Sequence, residues 1–243
     1  FTNSGYTIDN SEVAEDDYNE LNKSGYRVRF ATEIMNQSLD LSILDQSSTF
    51  GGSWETDEAV GPRSNSRFNE EKFDDDFSQF SLSLSGDIND NLEYVFTTSS
   101  FDRDVNYTYD YSEYVEYYNY DGPTYTCDYY DYYYYYNISG CQDPRMSYTQ
   151  TDNHERESYE FRIQSKGDSG FQWVLGAFSE TSTRDYEIEY LWPGLNPGGL
   201  SFQPTNGQWW NLDNTREEEV EAIFGEGYFD LNDKTRLTLG FRS

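Results

Sequence analysis

At 243 residues the chain is long enough for one large all-β domain or for part of a bigger one, and its formal charge of −30 rests on 46 acidic against 16 basic residues. That balance excludes nucleic acid, and excludes attraction to an anionic membrane through a basic patch, because both need clustered Lys and Arg. Low hydropathy with high charge would signal disorder, but aromatics make up 19% of the residues and disordered chains are poor in them.

Four hairpins are expected, in chain order. Gly25–Ile34 pairs with Ser38–Ser47 around a turn at Met35–Gln37, and Phe77–Gly86 pairs with Leu92–Arg103 around Asp87–Asn91. Glu157–Ser165 pairs with Phe171–Arg184 around Lys166–Gly170, and Glu219–Asp230 pairs with Thr235–Arg242 around Leu231–Lys234. The turns carry Gly, Asn and Asp, which tolerate the backbone angles that tight hairpins demand.

Alternation within the strands is the main physical signal. Tyr26, Val28, Phe30 and Ile34 share one face, while Arg27, Arg29, Ala31 and Glu33 share the other. Tyr159, Phe161 and Ile163 oppose Glu160, Arg162 and Gln164; Leu237, Leu239 and Phe241 oppose Arg236, Thr238, Gly240 and Arg242. Phe80, Leu82 and Leu84 fit the same scheme, and Glu219–Asp230 is ambiguous in phase. A soluble sandwich would turn the apolar face inward, whereas a membrane barrel turns it to lipid.

Connection lengths separate the two. Short turns alternate with the long polar segments Ser48–Asp76, Asp104–Arg156 and Asp185–Glu218. Short periplasmic turns with long extracellular loops are the outer-membrane pattern, and structureless loops above about 15 residues are uncommon in soluble domains. The expected fold is an all-β, antiparallel transmembrane β-barrel segment of about eight strands. No apolar run approaches the roughly 20 residues of a membrane-spanning helix, which leaves spanning strands open. The chain starts at Phe1 with neither an initiator Met nor a signal peptide, the expectation for a mature chain or a fragment.

The long segments hold the candidate ligand contacts. Asp104–Arg156 is dense in tyrosine, including Tyr117, Tyr118, Tyr129 and Tyr130 interleaved with Asp and Glu. Tyrosine gives a broad ring and a hydroxyl at little entropic cost, which suits sugars, aromatic chelates or protein surfaces. The bland reading is a loop that packs on itself. Trp192 and the pair Trp209-Trp210 flank a Gly/Pro segment, and serve either as a stacking platform or as membrane-interface anchors. Cys127 and Cys141 are close enough in sequence to close a small loop, worth about 3 kcal/mol if bonded, or remain two free thiols.

Catalytic chemistry has no carrier. His154-Glu155 lacks the second His of a zinc-protease helix, and there is no Gly-x-Ser-x-Gly elbow, phosphate loop or dinucleotide fingerprint. A metal site would want more Cys or His, and His154 is the one histidine. Asp87-Ile88-Asn89-Asp90-Asn91 lacks the Gly and closing Glu of a calcium loop and reads as a hairpin turn. No cofactor and no enzyme activity are expected.

Two segments resemble a known family. Ser158-Tyr-Glu-Phe-Arg-Ile-Gln-Ser165 followed by Gly170-Phe-Gln-Trp-Val-Leu-Gly-Ala-Phe178 looks like a paired-strand signature of TonB-dependent outer-membrane receptors. Phe224-Gly-Glu-Gly-Tyr-Phe-Asp-Leu-Asn-Asp-Lys-Thr-Arg-Leu-Thr-Leu-Gly-Phe-Arg242 resembles another, and Phe96–Asp104 is a weaker match. The resemblance implies residues 1–243 of a receptor barrel without its plug domain, set in outer-membrane lipid of a bacterium. It further implies active uptake of a scarce small-molecule ligand, a ferric siderophore first and an oligosaccharide second, with TonB reached through the plug. The departures are the lack of a TonB box and of a terminal aromatic residue after Phe241-Arg242-Ser243. The alternatives are a small outer-membrane adhesin and a glycan-binding β protein, the second of which would bury Leu237, Leu239 and Phe241 in a core. The acid-rich loops disfavour a strongly anionic ligand unless a cation bridges it.

Overall fold

The structure, a computed structural model, describes residues 2–3, 9–10, 18–114, 145–167, 169–193 and 207–243. Its strands are β1 (Thr2–Asn3), β2 (Asp9–Asn10), β3 (Leu21–Ile34), β4 (Gln37–Gly51), β5 (Ser64–Asn65) and β6 (Lys72–Asn89). They continue with β7 (Leu92–Asp110), β8 (Ser147–Ser165), β9 (Phe171–Leu191), β10 (Gln208–Asn232) and β11 (Thr235–Arg242). Nine of them form one antiparallel sheet in the order β1-β3-β4-β6-β7-β8-β9-β10-β11, a meander in which chain neighbours pair; β2 and β5 form a small parallel pair apart from it.

The four hairpins form as expected, with turns at the expected places. At the first, Met35 and Asn36 both take positive φ, 51° and 65°, which is the backbone of a type I′ turn matched to the twist of the strands it joins. The expected β-barrel segment is corrected, because the sheet is open. Closure requires the edge strands to exchange hydrogen bonds, but β1 is two residues long and pairs only with Leu21 and Asn22 of β3, while β11 pairs only with β10.

The strands are also much longer than alternation suggested. β7 runs to Asp110 and β8 starts at Ser147, while β9 runs to Leu191 and β10 starts at Gln208. Much of the three expected loops is therefore paired strand. The polarity pattern fades there because both faces carry hydrogen-bonding side chains, while the backbone ladder continues unbroken through Asp110↔Ser147 and Ser147↔Leu191.

Register resolves the two faces. One row runs Thr32–Leu39–Leu84–Phe96–Phe161–Ala177–Ile223 across seven strands, all apolar after the first. Tyr26, Val28, Phe30, Phe80, Leu82, Tyr159, Ile163, Leu237, Leu239 and Phe241 lie on the same face, which also fixes the phase of β10: Ile223 and Phe229 join them. Toward the far end this apolar face turns acidic. Asp45, Asp102, Glu155 and Glu217 share its face in one row, and Asp76, Asp104 and Asp185 in the next. The opposite face carries the arginines of the long strands: Arg27, Arg29, Arg103, Arg156, Arg162, Arg184, Arg216, Arg236 and Arg242.

Among the described residues, no protein core covers the apolar face. Leu239 is 59% exposed and Phe241 60%, against what a soluble sandwich would require. Gly225 lets that belt pack laterally: a Cβ there would sit 2.6 Å from the Phe241 ring, so the missing side chain is the seat of the aromatic.

Candidate functional site

The arginine face changes character near the end remote from the tight turns. Alternate residues there are aromatic, and register aligns them across strands: Phe50 faces Phe73, Phe73 faces Tyr107, and Tyr148 faces Tyr190, which faces Trp210. Ring centroids follow at 5.9 Å (Phe73–Tyr107), 5.4 Å (Tyr107–Tyr148), 4.8 Å (Tyr148–Tyr190) and 5.6 Å (Tyr190–Trp210). These are tilted or edge-on contacts in the range that aromatic pairs prefer. Gln150 threads the lane with hydrogen bonds, its Oε1 accepting from the Tyr107 hydroxyl at 2.9 Å and the Tyr148 hydroxyl at 2.6 Å. Burial, then the neighbouring Tyr107 hydroxyl, pushes the Tyr148 phenol well above its ordinary range, so it stays a neutral donor. At the β4–β7 end the lane opens into a small, mainly apolar pocket of about 170 Å³, lined in part by Phe50, Phe73, Tyr107 and Tyr109.

Below the lane the same face is charged and largely matched, although Arg156 lies over the Phe101 ring, 5.5 Å from its centroid, and not, among the described residues, against a carboxylate. Arg103 donates to Asp75 at 2.7 and 2.9 Å, Arg184 to Asp152 at 2.8 Å, and Arg216 pairs with Glu218. The Arg184 guanidinium beside Asp152 holds that carboxyl below its usual range. His154 sits in register between Arg103 and Arg184 and shares a 3.0 Å hydrogen bond with Ser182.

The sequence-predicted site residues part company here. Trp192 is 1% exposed and packs against Met146, with Tyr111, Tyr114, Tyr190 and Trp209 around the pair. Its backbone N–H donates to the Gly207 carbonyl at 2.6 Å. A ligand reaches its indole only if this cluster opens. Trp209 lies at the bulge between Gln208 and Trp210, with Tyr114 at 5.2 Å and Tyr190 at 5.5 Å. Trp210 is 45% exposed and ends the lane. Tyr117, Tyr118, Tyr129, Tyr130, Cys127 and Cys141 lie outside the described residues, the expected disulfide with them.

Tyr107 belongs to the tyrosine-rich segment marked from sequence, but Tyr148, Gln150 and Tyr190 were not singled out. A signal existed: Tyr107, Tyr109 and Tyr111, like Tyr186, Ile188 and Tyr190, stand at every second position, the period of a strand. It was masked because the intervening residues are polar on a face that is acidic rather than apolar.

A polar clamp anchors residues 52–71 beside the lane. Asp110, nearly fully buried, accepts from the Phe68 amide at 2.6 Å, the Asn69 side chain at 2.9 Å and the Ser112 amide at 3.0 Å. Glu71 accepts from the Ser53 amide at 2.6 Å and the Asp110 amide at 3.0 Å, and its own amide donates to the Tyr18 hydroxyl at 2.9 Å. Burial raises the Glu71 carboxyl above its ordinary value, outweighing the hydrogen bonds from the Asp110 and Ser53 amides and the Arg67 guanidinium at 3.9 Å. Burial lowers the Arg67 guanidinium, but Glu113, Glu71, Tyr109 and Glu55 outweigh that and leave it raised. The two partners therefore shift in the same sense: Arg67 answers to several anionic or acidic neighbours, Glu71 chiefly to its own desolvation. No group of three or more His, Cys, Asp or Glu among the described residues is arranged to hold a metal ion.

An open meander with an apolar-to-acidic face, an arginine face and tight turns at one end is a strand arrangement of the outer-membrane kind. No protein-family model matches the chain, and no curated protein matches it. Among solved structures, the ferric yersiniabactin uptake receptor FyuA from Yersinia pestis matches 97% of this chain at 11% identity with a TM-score of 0.64. The chain spans 31% of that receptor's length. The ferric-catecholate import receptor Fiu from E. coli K12 matches 97% of the chain in both its open form (10% identity, TM-score 0.32, 48% of that chain) and its closed form (9%, 0.32, 44%), too low in score to carry weight. At these identities the likeness is one of fold, to part of the FyuA uptake receptor. The proteins named in these matches are receptors for uptake and import, not enzymes.

Proposed function

We propose that this chain is part of a TonB-dependent transporter of the bacterial outer membrane, its apolar face against lipid and its aromatic end toward an incoming ligand. The observation that carries this is the register row Leu39–Leu84–Phe96–Phe161–Ala177–Ile223, apolar on six consecutive strands, with Phe161, Ala177 and Ile223 exposed and the other three half-buried rather than packed into a core. Strands spanning a bilayer need about 9–11 residues with one face apolar. On this face carboxylates appear two residues from the row at Glu221 and four residues from it at Glu157 and Glu219, and the row six residues beyond, roughly 20 Å further along the strand, carries Asp45, Asp102, Glu155 and Glu217.

The ligand in this reading is a scarce small molecule, a ferric siderophore or an oligosaccharide; the first is the class that receptors of similar fold are named for. Energy comes from TonB by way of a plug domain, which this chain does not supply. The arginine face, where Arg29, Arg103, Arg184, Arg216 and Arg236 are matched by carboxylates, is the side such a plug would meet. Unpaired strand edges cost several kcal/mol per orphaned group in hydrocarbon, so both edges of the sheet work paired with further strands.

Nitroxide labels on the full-length gene product test the placement. A label at Leu239 is expected to collide with oxygen dissolved in lipid, and one at Glu187 with a water-soluble nickel chelate. Water contact at both positions would sink the proposal.

A further inference from the structure

The aromatic lane on the arginine face has the shape of a track rather than a pocket. It crosses from β6 to β10, four strand spacings of about 4.8 Å, and so offers roughly 19 Å of continuous surface. Phe73, Tyr107, Tyr148, Tyr190 and Trp210 supply the rings, with Gln150 between them. A compact chelate would fill one concavity; a surface this long and narrow suits an extended molecule lying across the strands.

The chemistry narrows the class. Rings carrying hydroxyls at their edges give stacking and hydrogen bonding together, which a polyol ring with one apolar face and a rim of hydroxyls uses in full. Gln150 commits its Oε1 to Tyr107 and Tyr148, leaving its amide N–H groups as donors. Charge points the same way. The protein carries −30 overall, and Arg103, Arg184 and Arg216 beneath the lane are each held by a carboxylate while Arg156 lies over the Phe101 ring, so the stretch offers little net positive charge to an anionic ligand.

We infer that this lane is a track for an extended, neutral glycan chain, a statement that rests on the uptake role proposed above and names its ligand class. The small apolar pocket beside Phe73 and Tyr107 receives one terminal ring, and Trp210 stacks on a ring at the other end. The rings of Tyr148 and Tyr190 carry the middle of the chain.

Calorimetric titration of the full-length gene product in detergent tests this with three probes: a panel of neutral linear α- and β-linked glucan hexasaccharides, glucose, and a ferric tris-catecholate. A hexasaccharide is expected to bind at least tenfold more tightly than glucose, and Trp210→Ala to weaken it by about tenfold. Trp210 is 45% exposed at the end of the lane, so that variant is expected to keep its fold, and Tyr148→Phe gives a milder loss of about threefold from one hydroxyl. No binding by any hexasaccharide, glycan binding indifferent to Trp210→Ala, or tight binding of the ferric complex alone would each overturn the inference. The nitroxide result at Leu239 is independent of these titrations, so failure of the ligand class and failure of the membrane placement are told apart.

Discussion

The two ends of this sheet are held by different means. Near the tight turns almost nothing is buried among the described residues: the belt of Phe, Leu and Ile side chains stands open, and cohesion within the protein comes from the backbone ladder and from pairs such as Arg29–Asp40. The remote end builds its own small interiors, one of Tyr18, Glu71, Asp110 and Ser112 and one of Met146 and Trp192. The contrast teaches where the solvent does the work. In the proposed membrane setting, lipid below supplies the apolar surroundings that a second layer would give in a soluble protein, while above, with water on both sides, the chain must supply its own.

The largest way to break that comparison is Asp110→Ala. It orphans the amides of Phe68 and Ser112 and the side chain of Asn69, at about 1–3 kcal/mol for each buried donor. Hydrogen exchange on the full-length gene product is expected to quicken by orders of magnitude in residues 52–71 while the tight-turn end keeps its protection. Equal loss at both ends would show that the two halves are one cooperative unit. Next is Phe161→Arg, which places a guanidinium in the middle of the belt. Folding into lipid vesicles is expected to weaken by about 2–4 kcal/mol. An unchanged folding equilibrium would mean that this face meets water.

A pH titration sharpens the contrast further. Glu71 is raised above its ordinary 4.5 by burial, so its share of stability is whole below that value and is lost as pH rises through the higher folded one. Asp152, held low by Arg184, behaves oppositely: its share is present above 3.8 and fades as pH falls through the lower folded value. Exchange protection around Ser53 is therefore expected to decline as pH climbs from acid toward neutral, and Glu71→Gln to flatten that decline. The smallest effect is at the first turn, where Met35 holds a left-handed backbone that costs a non-glycine residue about 1–2 kcal/mol. Met35→Gly should stabilise the hairpin by about 1 kcal/mol or less, since glycine's greater freedom when unfolded offsets part of the relief. A higher thermal midpoint in calorimetry is the check.

The same contrast explains what could be read from sequence. Tyr159-Glu160-Phe161-Arg162-Ile163 declares a strand because its two faces meet different surroundings. Thr149-Gln150-Thr151-Asp152-Asn153 is an equally regular strand, but both its faces are polar, and period two disappears from hydropathy. The aromatic lane was half visible for that reason: Trp210 stood out as a residue type, while Tyr148 and Tyr190 needed the register that only strand pairing supplies. Trp192 stood out equally, yet sits under Met146, because composition marks a large ring without saying which side of it the chain covers. An open edge cannot be read from alternation either, since a strand reads the same whether its outer neighbour is present or not.

Segregating every long-strand arginine to one face also acts as a check on assembly. Sliding any strand by a single residue exchanges its faces. For β8 that would carry Arg162 into the apolar belt and expel Phe161 and Ile163 from it. An arginine misplaced near the bilayer midplane costs about 2–4 kcal/mol, so one wrong step on one strand is penalised before its neighbours have paired. If the belt meets lipid as proposed, the charge pattern works as proofreading, penalising mispaired intermediates early, while they are still cheap to undo.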